Sequence, residues 1–295
     1  MEGIAFCPGH ITGFFKAEIK KSAEKTGSLG AGFSIQYGVK SRVRLVEKTS
    51  IPFEITTTGF DTDNTNVSEY VLQYFMNNSV INHTIQVEQH IEIPVGYGLG
   101  SSGAAALSLA FALDKALDTR YSKERIALIA HNAEIDCKTG LGDVLGSYKG
   151  GIEIRTKPGA PGIGKVELVD DHSHKVVLIC FAPIATKTFM KKLSTINGLG
   201  GKMVKQFQAS KDIYHFQDMS IEFGRHVGII TERLGRVIEE LRDEGIKCGI
   251  AFFGETIFTI IKESEISRVQ KIASRYDTAR VITTQIDHKG PRLIE

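Results

Sequence analysis

The stretch PVGYGLGSSGAAALSLAFAL, Pro94 to Leu113, constrains this chain more than any other. It sets Gly96, Gly98, Gly100 and Gly103 around Ser101-Ser102 and runs straight into an apolar helical sequence. Glycines so spaced let the backbone take positive φ and bring its N–H groups close to an anion. A helix opening at the two serines turns the positive end of its dipole toward the same point. The pattern reads as a backbone cradle for a polyphosphate. An ordinary glycine-rich turn closed by a serine N-cap is the alternative.

Two other phosphate loops are excluded by what surrounds this one. Gly98, Gly100 and Gly103 satisfy G-x-G-x-x-G. A dinucleotide fold, however, enters that motif from a strand buried on both faces and ends a second strand with an acid about 20 residues on. Upstream, Ile85, Val87, Ile91 and Ile93 alternate with Gln86, Glu88, His90 and Glu92, slipping only at Gln89, so one face is wet. Downstream, Asp118 has the right distance but falls in a helix end and loop. A Walker loop needs a lysine before its hydroxyl, and Ser101-Ser102-Gly103 offers none.

A chain of 295 residues, 42% hydrophobic, has room for one large domain or two ordinary ones. Proline and glycine cluster at RTKPGAPGIGK, Arg155 to Lys165, which predicts an N-terminal domain over 1–156 and a C-terminal one over 157–295. Strand-like GFSIQYGVKSRVRLVEK and HTIQVEQHIEI precede helical stretches at Ser102–Leu117 and Ser122–Cys137. Beyond the boundary come a strand over Lys175–Phe181, amphipathic helices including one over Ser220–Glu244, and a core strand in GIAFFGETIFTIIK. Asn197–Met203, NGLGGKM, reads as a lid or an interhelical loop. Strands followed by runs of helices argue for an α+β architecture.

A net charge of +2 and a pI near 8.2 leave out a nucleic-acid footprint. Cys7, Cys137, Cys180 and Cys248 form no C-x-x-C pair and are expected as reduced, mostly buried thiols. The first residues lack a basic n-region, and no apolar run approaches the roughly 20 residues a bilayer needs, so a cytoplasmic protein without a membrane partner is expected. Association into a homodimer stays open.

PVGYGLGSSGAA resembles the nucleotide-binding loop of the GHMP small-molecule kinases, named for galactose, homoserine, mevalonate and phosphomevalonate. CPGHITGFF, Cys7 to Phe15, with GSLGAG, Gly27 to Gly32, resembles the archaeal pantoate kinase branch of that family. The resemblance spans essentially the whole chain and is strongest up to Gly151. It implies a two-domain GHMP kinase fold, with a ribosomal protein S5-like N-terminal domain and a ferredoxin-like C-terminal one. ATP and Mg²⁺ are the implied cofactors and pantoate the implied substrate. A kinase for mevalonate or homoserine, or a nucleotide-binding sensor without turnover, are the alternatives.

Carried over position by position, the resemblance implies a nucleotide loop of Pro94, Gly96, Gly98, Leu99, Gly100, Ser101, Ser102 and Gly103. Ser102 and Glu134, the latter in AHNAEIDCKTG, would hold the metal, and Asp143 in TGLGDVLGSYKGG would be the catalytic base. His10, Thr12 and Ser28 would bind the acceptor, with Phe14 and Phe15 over its geminal dimethyl group. Each has a blander reading: a solvated helix edge for Glu134, a turn aspartate for Asp143, a structural hydrogen-bonder for His10. Mevalonate kinases carry a lysine near the exit of the first strand, whereas this chain has His10-Ile-Thr12 and no lysine before Lys16. The family's third glycine motif is degenerate, with Phe252 and Phe253 in its place.

Overall fold

A computed structural model describes residues 1–60, 62, 64–184 and 193–294. Two long strands, β1 (Glu2–Glu18) and β2 (Gly27–Val46), pair antiparallel and form the spine of a seven-stranded sheet. β2 is long enough to serve two partners on its other edge. Its second half pairs with β4 (Thr84–Ile91), which in turn pairs parallel with β3 (Phe53–Gly59) through the crossover helix α1 (Asn66–Asn78). Its first half pairs with β5 (Ile152–Lys157), and β5 pairs with β6 (Lys165–Val169).

In β4 the expected alternation holds: Ile85, Val87 and Ile91 are buried while Glu88 and His90 face water. Gln89 is buried with them and is satisfied there. Its amide oxygen accepts from Ser68, and its nitrogen donates to Ser41 Oγ and the Ala105 carbonyl. Helix α2 (Ser101–Leu117) lies against β1 with a face of alanines, and a Cβ at Gly3 would stand 2.1 Å from the Ala112 carbonyl oxygen. That small-residue contact fixes the height of the glycine loop above the sheet. α3 (Lys123–Cys137) packs on α2, its first turn capped by the Ser122 hydroxyl accepting from Arg125 N. The short α4 (Asp143–Lys149) follows.

The smaller sheet is antiparallel, in the order β10 (Arg280–Gln285), β7 (Lys175–Pro183), β9 (Gly254–Ile261), β8 (Gly249–Ile250). Helices α5 (Leu193–Ser210), α6 (Ile213–Val227) and α7 (Glu232–Asp243) lie between β7 and β8, and α8 (Ile266–Ala273) between β9 and β10. This succession, with the first strand paired to the third and fourth, is the expected ferredoxin-like arrangement.

Three expectations change. The proline-glycine stretch 155–165 is no linker: it turns β5 into β6 within the larger sheet, and the chain passes to the smaller sheet at 170–174. The final strand β11 (Arg292–Leu293) then returns to pair with β1, so the second unit is not a closed C-terminal segment. The helix expected over Ser220–Glu244 is two helices, because Gly228 takes φ +70° and caps α6 while Thr231 accepts from Leu234 N to start α7. Asn197–Met203 is no interhelical loop but part of α5.

The returning segment braces α4. Gly151 N donates to the Asp287 carbonyl, and the buried Asp287 carboxylate accepts from Lys289 N, Gly290 N and Arg292. All four cysteines are free thiols, three of them buried. Among the described residues no helix is long and apolar enough to cross a membrane.

Candidate active site

The glycine loop adopts the backbone its sequence anticipates. Gly98 and Gly100 sit at φ +77° and +67°, a region side chains with a Cβ enter only at a cost. A Cβ at Gly100 would also lie 2.9 to 3.0 Å from the backbone of His10, so the loop rests directly on β1. Leu99 makes the same contact from its carbonyl, which accepts from His10 N at 3.0 Å. The loop opens into a cavity of about 800 Å³ lined by Val95, Gly96, Gly98, Ser101, Ser102 and Asp143 among others. Pro94 and Gly103 are not on its wall: Pro94 is buried, and Gly103 lies in the first turn of α2 with Glu134 and Asp143 beside it.

Glu134 faces inward from α3 and is 2% exposed, which removes the solvated-edge reading. Its Oε1 accepts from the Thr139 hydroxyl at 2.5 Å, while Oε2 is buried without a hydrogen-bond partner. Burial first, and then the charge of Asp143, push its carboxyl up to about 7 against the lowering hydroxyls of Thr139 and Ser102. A Cβ at Gly140 would fall 2.0 Å from Glu134 Oε2 and 2.8 Å from Asp143 Oδ2, so both oxygens face one small void that only a glycine leaves open. The buried, unpartnered Glu134 Oε2 wants a cation there. Among the described residues no cluster of three or more metal-ligating side chains occurs. One carboxylate and one hydroxyl, Ser102, suit Mg²⁺, which takes most of its oxygens from phosphates and water.

Asp143 starts α4 directly after Gly142, half-buried at the cavity wall. Its Oδ1 meets His10 Nδ1 at 2.9 Å, and the other ring nitrogen of His10 meets Glu153 Oε1 at 2.9 Å. Arg155 Nη1 also lies 3.3 Å from that second nitrogen, so the ring sits between two carboxylates and a guanidinium, and ionised carboxylates on both sides favour its protonated form. Burial alone would lower its pKa; the two carboxylates outweigh that and hold it raised. Likewise burial pushes Asp143 up, but the hydrogen bond and charge of His10, with Arg155 beyond, hold it below its ordinary value. Arg155, fully buried, pairs with Glu153 and donates from Nη2 to Thr12 Oγ1 at 3.2 Å. Its Nε has no partner, and a Cβ at Gly142 would stand 2.8 Å from it and 2.4 Å from Ser28 Oγ.

This geometry corrects the part given to His10. With both nitrogens committed and the side chain wholly buried, it has no donor left for an acceptor carboxylate, and it positions Asp143 instead. Phe14 is also displaced, packed among Phe207, Phe216 and Phe223, whereas Phe15 does line the cavity. Thr12 and Ser28 lie on the cavity wall. Glu153 and Arg155 were missed by the sequence reading. Their one signal is two opposite charges at i and i+2, alternating with Ile152 and Ile154, in a strand whose first four residues are all buried.

Residues 66–151 match the family pattern described as GHMP kinases N terminal domain. The chain is 31% identical to the pantoate kinase of Methanocaldococcus jannaschii over 266 residues, 88% of this chain and 93% of that one. It belongs to the pantoate kinase family. It is also 28% identical to the pantoate kinase of Thermococcus kodakarensis over 290 residues, 95% of each chain. A solved structure described as a phosphotransferase related to the CoA biosynthesis pathway superposes with a TM-score of 0.90 at 26% identity, covering 100% of this chain and 99% of that one. The two-part α+β fold of the GHMP kinases is therefore the fold of this chain.

In a kinase of this family the histidine-aspartate contact has a measurable consequence. His10→Ala should move the acidic limb of the kcat/KM profile to higher pH, because Asp143 loses the hydrogen bond and charge that hold its pKa down. It should also cost roughly 3 to 5 kcal/mol of stability by leaving buried Glu153 underpaired. A folded variant with an unmoved limb would show that His10 does not govern Asp143.

Proposed function

We propose that this protein transfers the γ-phosphoryl group of ATP to the primary hydroxyl of pantoate, giving 4-phosphopantoate. The observation carrying this reading is the convergence on one cavity of the glycine loop, the paired oxygens at Gly140, and an aspartate held by a buried histidine. The family relationship supports the same substrate. Free cysteines fit a reducing, cytoplasmic setting.

Phosphoryl transfer asks a protein for alignment and charge neutralisation rather than covalent chemistry. Backbone N–H groups of Gly98 to Ser102 and the dipole of α2 receive the phosphates. Glu134 Oε2 and the Ser102 hydroxyl would hold Mg²⁺, which when bound supplies positive charge to the phosphate oxygens. Asp143 Oδ1 is taken by His10, so Oδ2 is left to accept the hydrogen of the attacking hydroxyl. As the new P–O bond forms and the bond to ADP breaks, that proton passes to Asp143. A carboxylate held below its ordinary pKa is a weak base. It acts mainly by aiming the hydroxyl, which suffices for a loose transition state.

The acceptor carboxylate needs a cation and neutral donors. Arg155 supplies the positive field behind Thr12 and Ser28, and because it donates to Thr12 Oγ1, the threonine hydrogen is free to point outward as a strengthened donor. Homoserine would bring an ammonium group instead. The acids among the described wall residues are Asp136, which accepts from Tyr70, and Asp143, which is bound to His10.

ADP release measured across pantoate, pantothenate, mevalonate and homoserine tests the assignment. Pantoate should exceed its β-alanine amide, pantothenate, by about 30-fold to 1,000-fold in kcat/KM, since the amide loses a charged hydrogen-bond partner and adds bulk. Equal efficiency, or a preference for mevalonate, would overturn the substrate while leaving the kinase.

A further inference from the structure

Phe253 is a bulky residue with φ +68°, and it lines the cavity. Side chains with a Cβ are rarely held in that region unless the surroundings dictate it, and such residues concentrate at functional sites. The surroundings do dictate it. Phe252 N donates to the Thr12 carbonyl at 3.0 Å, tying the turn to the acceptor strand. On its other side the turn presses on the phosphate loop: a Cβ at Gly98 would be 2.6 Å from the Phe252 carbonyl oxygen, and one at Gly254 would overlap the Tyr97 carbonyl. The ring of Phe253 is thus set where acceptor strand and phosphate loop meet, edge-on to Phe252 at 4.9 Å and 5.7 Å from the ring of Phe15.

Thr12, Phe15, Phe253 and Asp143 line one cavity, so the carbon next to a hydroxyl held at Asp143 can face that ring. In the acceptor assigned under the proposed function, on which this inference rests, that carbon bears two methyl groups and no polar atom. We propose that Phe253, with Phe15 beside it, is the specificity-determining wall that reads the branched carbon adjoining the reacting hydroxyl. A glycine at 253 would relieve the backbone and remove the wall, which separates selectivity from folding.

The test compares kcat/KM for pantoate and for 2,4-dihydroxybutanoate, which lacks both methyls, in the wild type and in Phe253→Leu, Phe253→Ala and Phe253→Gly. The wild type should prefer pantoate by roughly 100-fold, given that a single methylene in a fitted pocket is worth about 10-fold to 200-fold. The preference should fall in the order Leu, Ala, Gly, to under about 10-fold at glycine, chiefly through lost efficiency on pantoate. A merely structural role would lower both substrates alike and keep the ratio. An unchanged ratio in any folded Ala or Gly variant of an enzyme that phosphorylates pantoate would overturn the wall alone. A wild type inactive on pantoate would overturn the substrate reading and the wall with it.

Discussion

Asp143→Asn is expected to lower kcat by roughly 100-fold or more while ATP still binds. The two side chains have nearly the same shape, so the cavity is preserved. What changes is that an amide oxygen replaces a carboxylate as the group receiving the hydroxyl proton. The contact with His10 weakens as well, because a charged acceptor opposite Nδ1 becomes neutral. The loop glycines and Glu134 are untouched. Steady-state kinetics with calorimetric ATP titration separate the two effects, and wild-type turnover would remove Asp143 from the chemistry. A wild type that binds ATP and turns over no acceptor would instead support a nucleotide sensor on this fold.

Glu134→Gln should produce opposite effects on activity and on stability. In the metal-free protein the carboxyl rises from an ordinary 4.5 to about 7, so at pH 8 a buried charge is maintained at a cost on the order of 3 kcal/mol. The sign follows from the raised acid. Below pH 4.5 both folded and unfolded chains carry the proton and the cost is absent; it grows as pH rises and levels off above pH 7. Glutamine abolishes the charge, so the thermal midpoint of the metal-free variant should exceed that of the wild type at pH 8 and match it near pH 4. The same change removes an anionic oxygen from the void at Gly140, and half-maximal activity should then require roughly ten-fold more Mg²⁺ or beyond. An unmoved Mg²⁺ requirement would return Glu134 to a structural part.

The glycine loop was legible because its information is local. Positive φ at Gly98 and Gly100, and a helix starting at Ser101, depend on residues within a few positions of each other. The wet face of β4 was legible for the same reason, and the absence of any C-x-x-C pair agrees with four free, mostly buried cysteines. The linker at 155–165 was misread because proline and glycine mark a turn without saying whether the strands on either side share a sheet. The same limit applies at Gly228, where one glycine splits a continuous amphipathic pattern.

By itself, then, the sequence determined a positive-φ glycine loop opening a helix, an α+β chain, and which carboxylates carry the family pattern at Glu134 and Asp143. Only the tertiary structure decided what those groups do to each other. His10 meets Asp143 across 133 residues and Glu153 across 143, and nothing near His10 in the chain distinguishes a ring held between two carboxylates from a ring that binds substrate. Arg155 became part of the site because β5 pairs with the first half of β2, which brings it behind Thr12 and Ser28. Hydrogen bonds and desolvation act over a few ångströms of space, and which residues share that space is fixed by strand pairing between distant segments rather than by their neighbours in the chain.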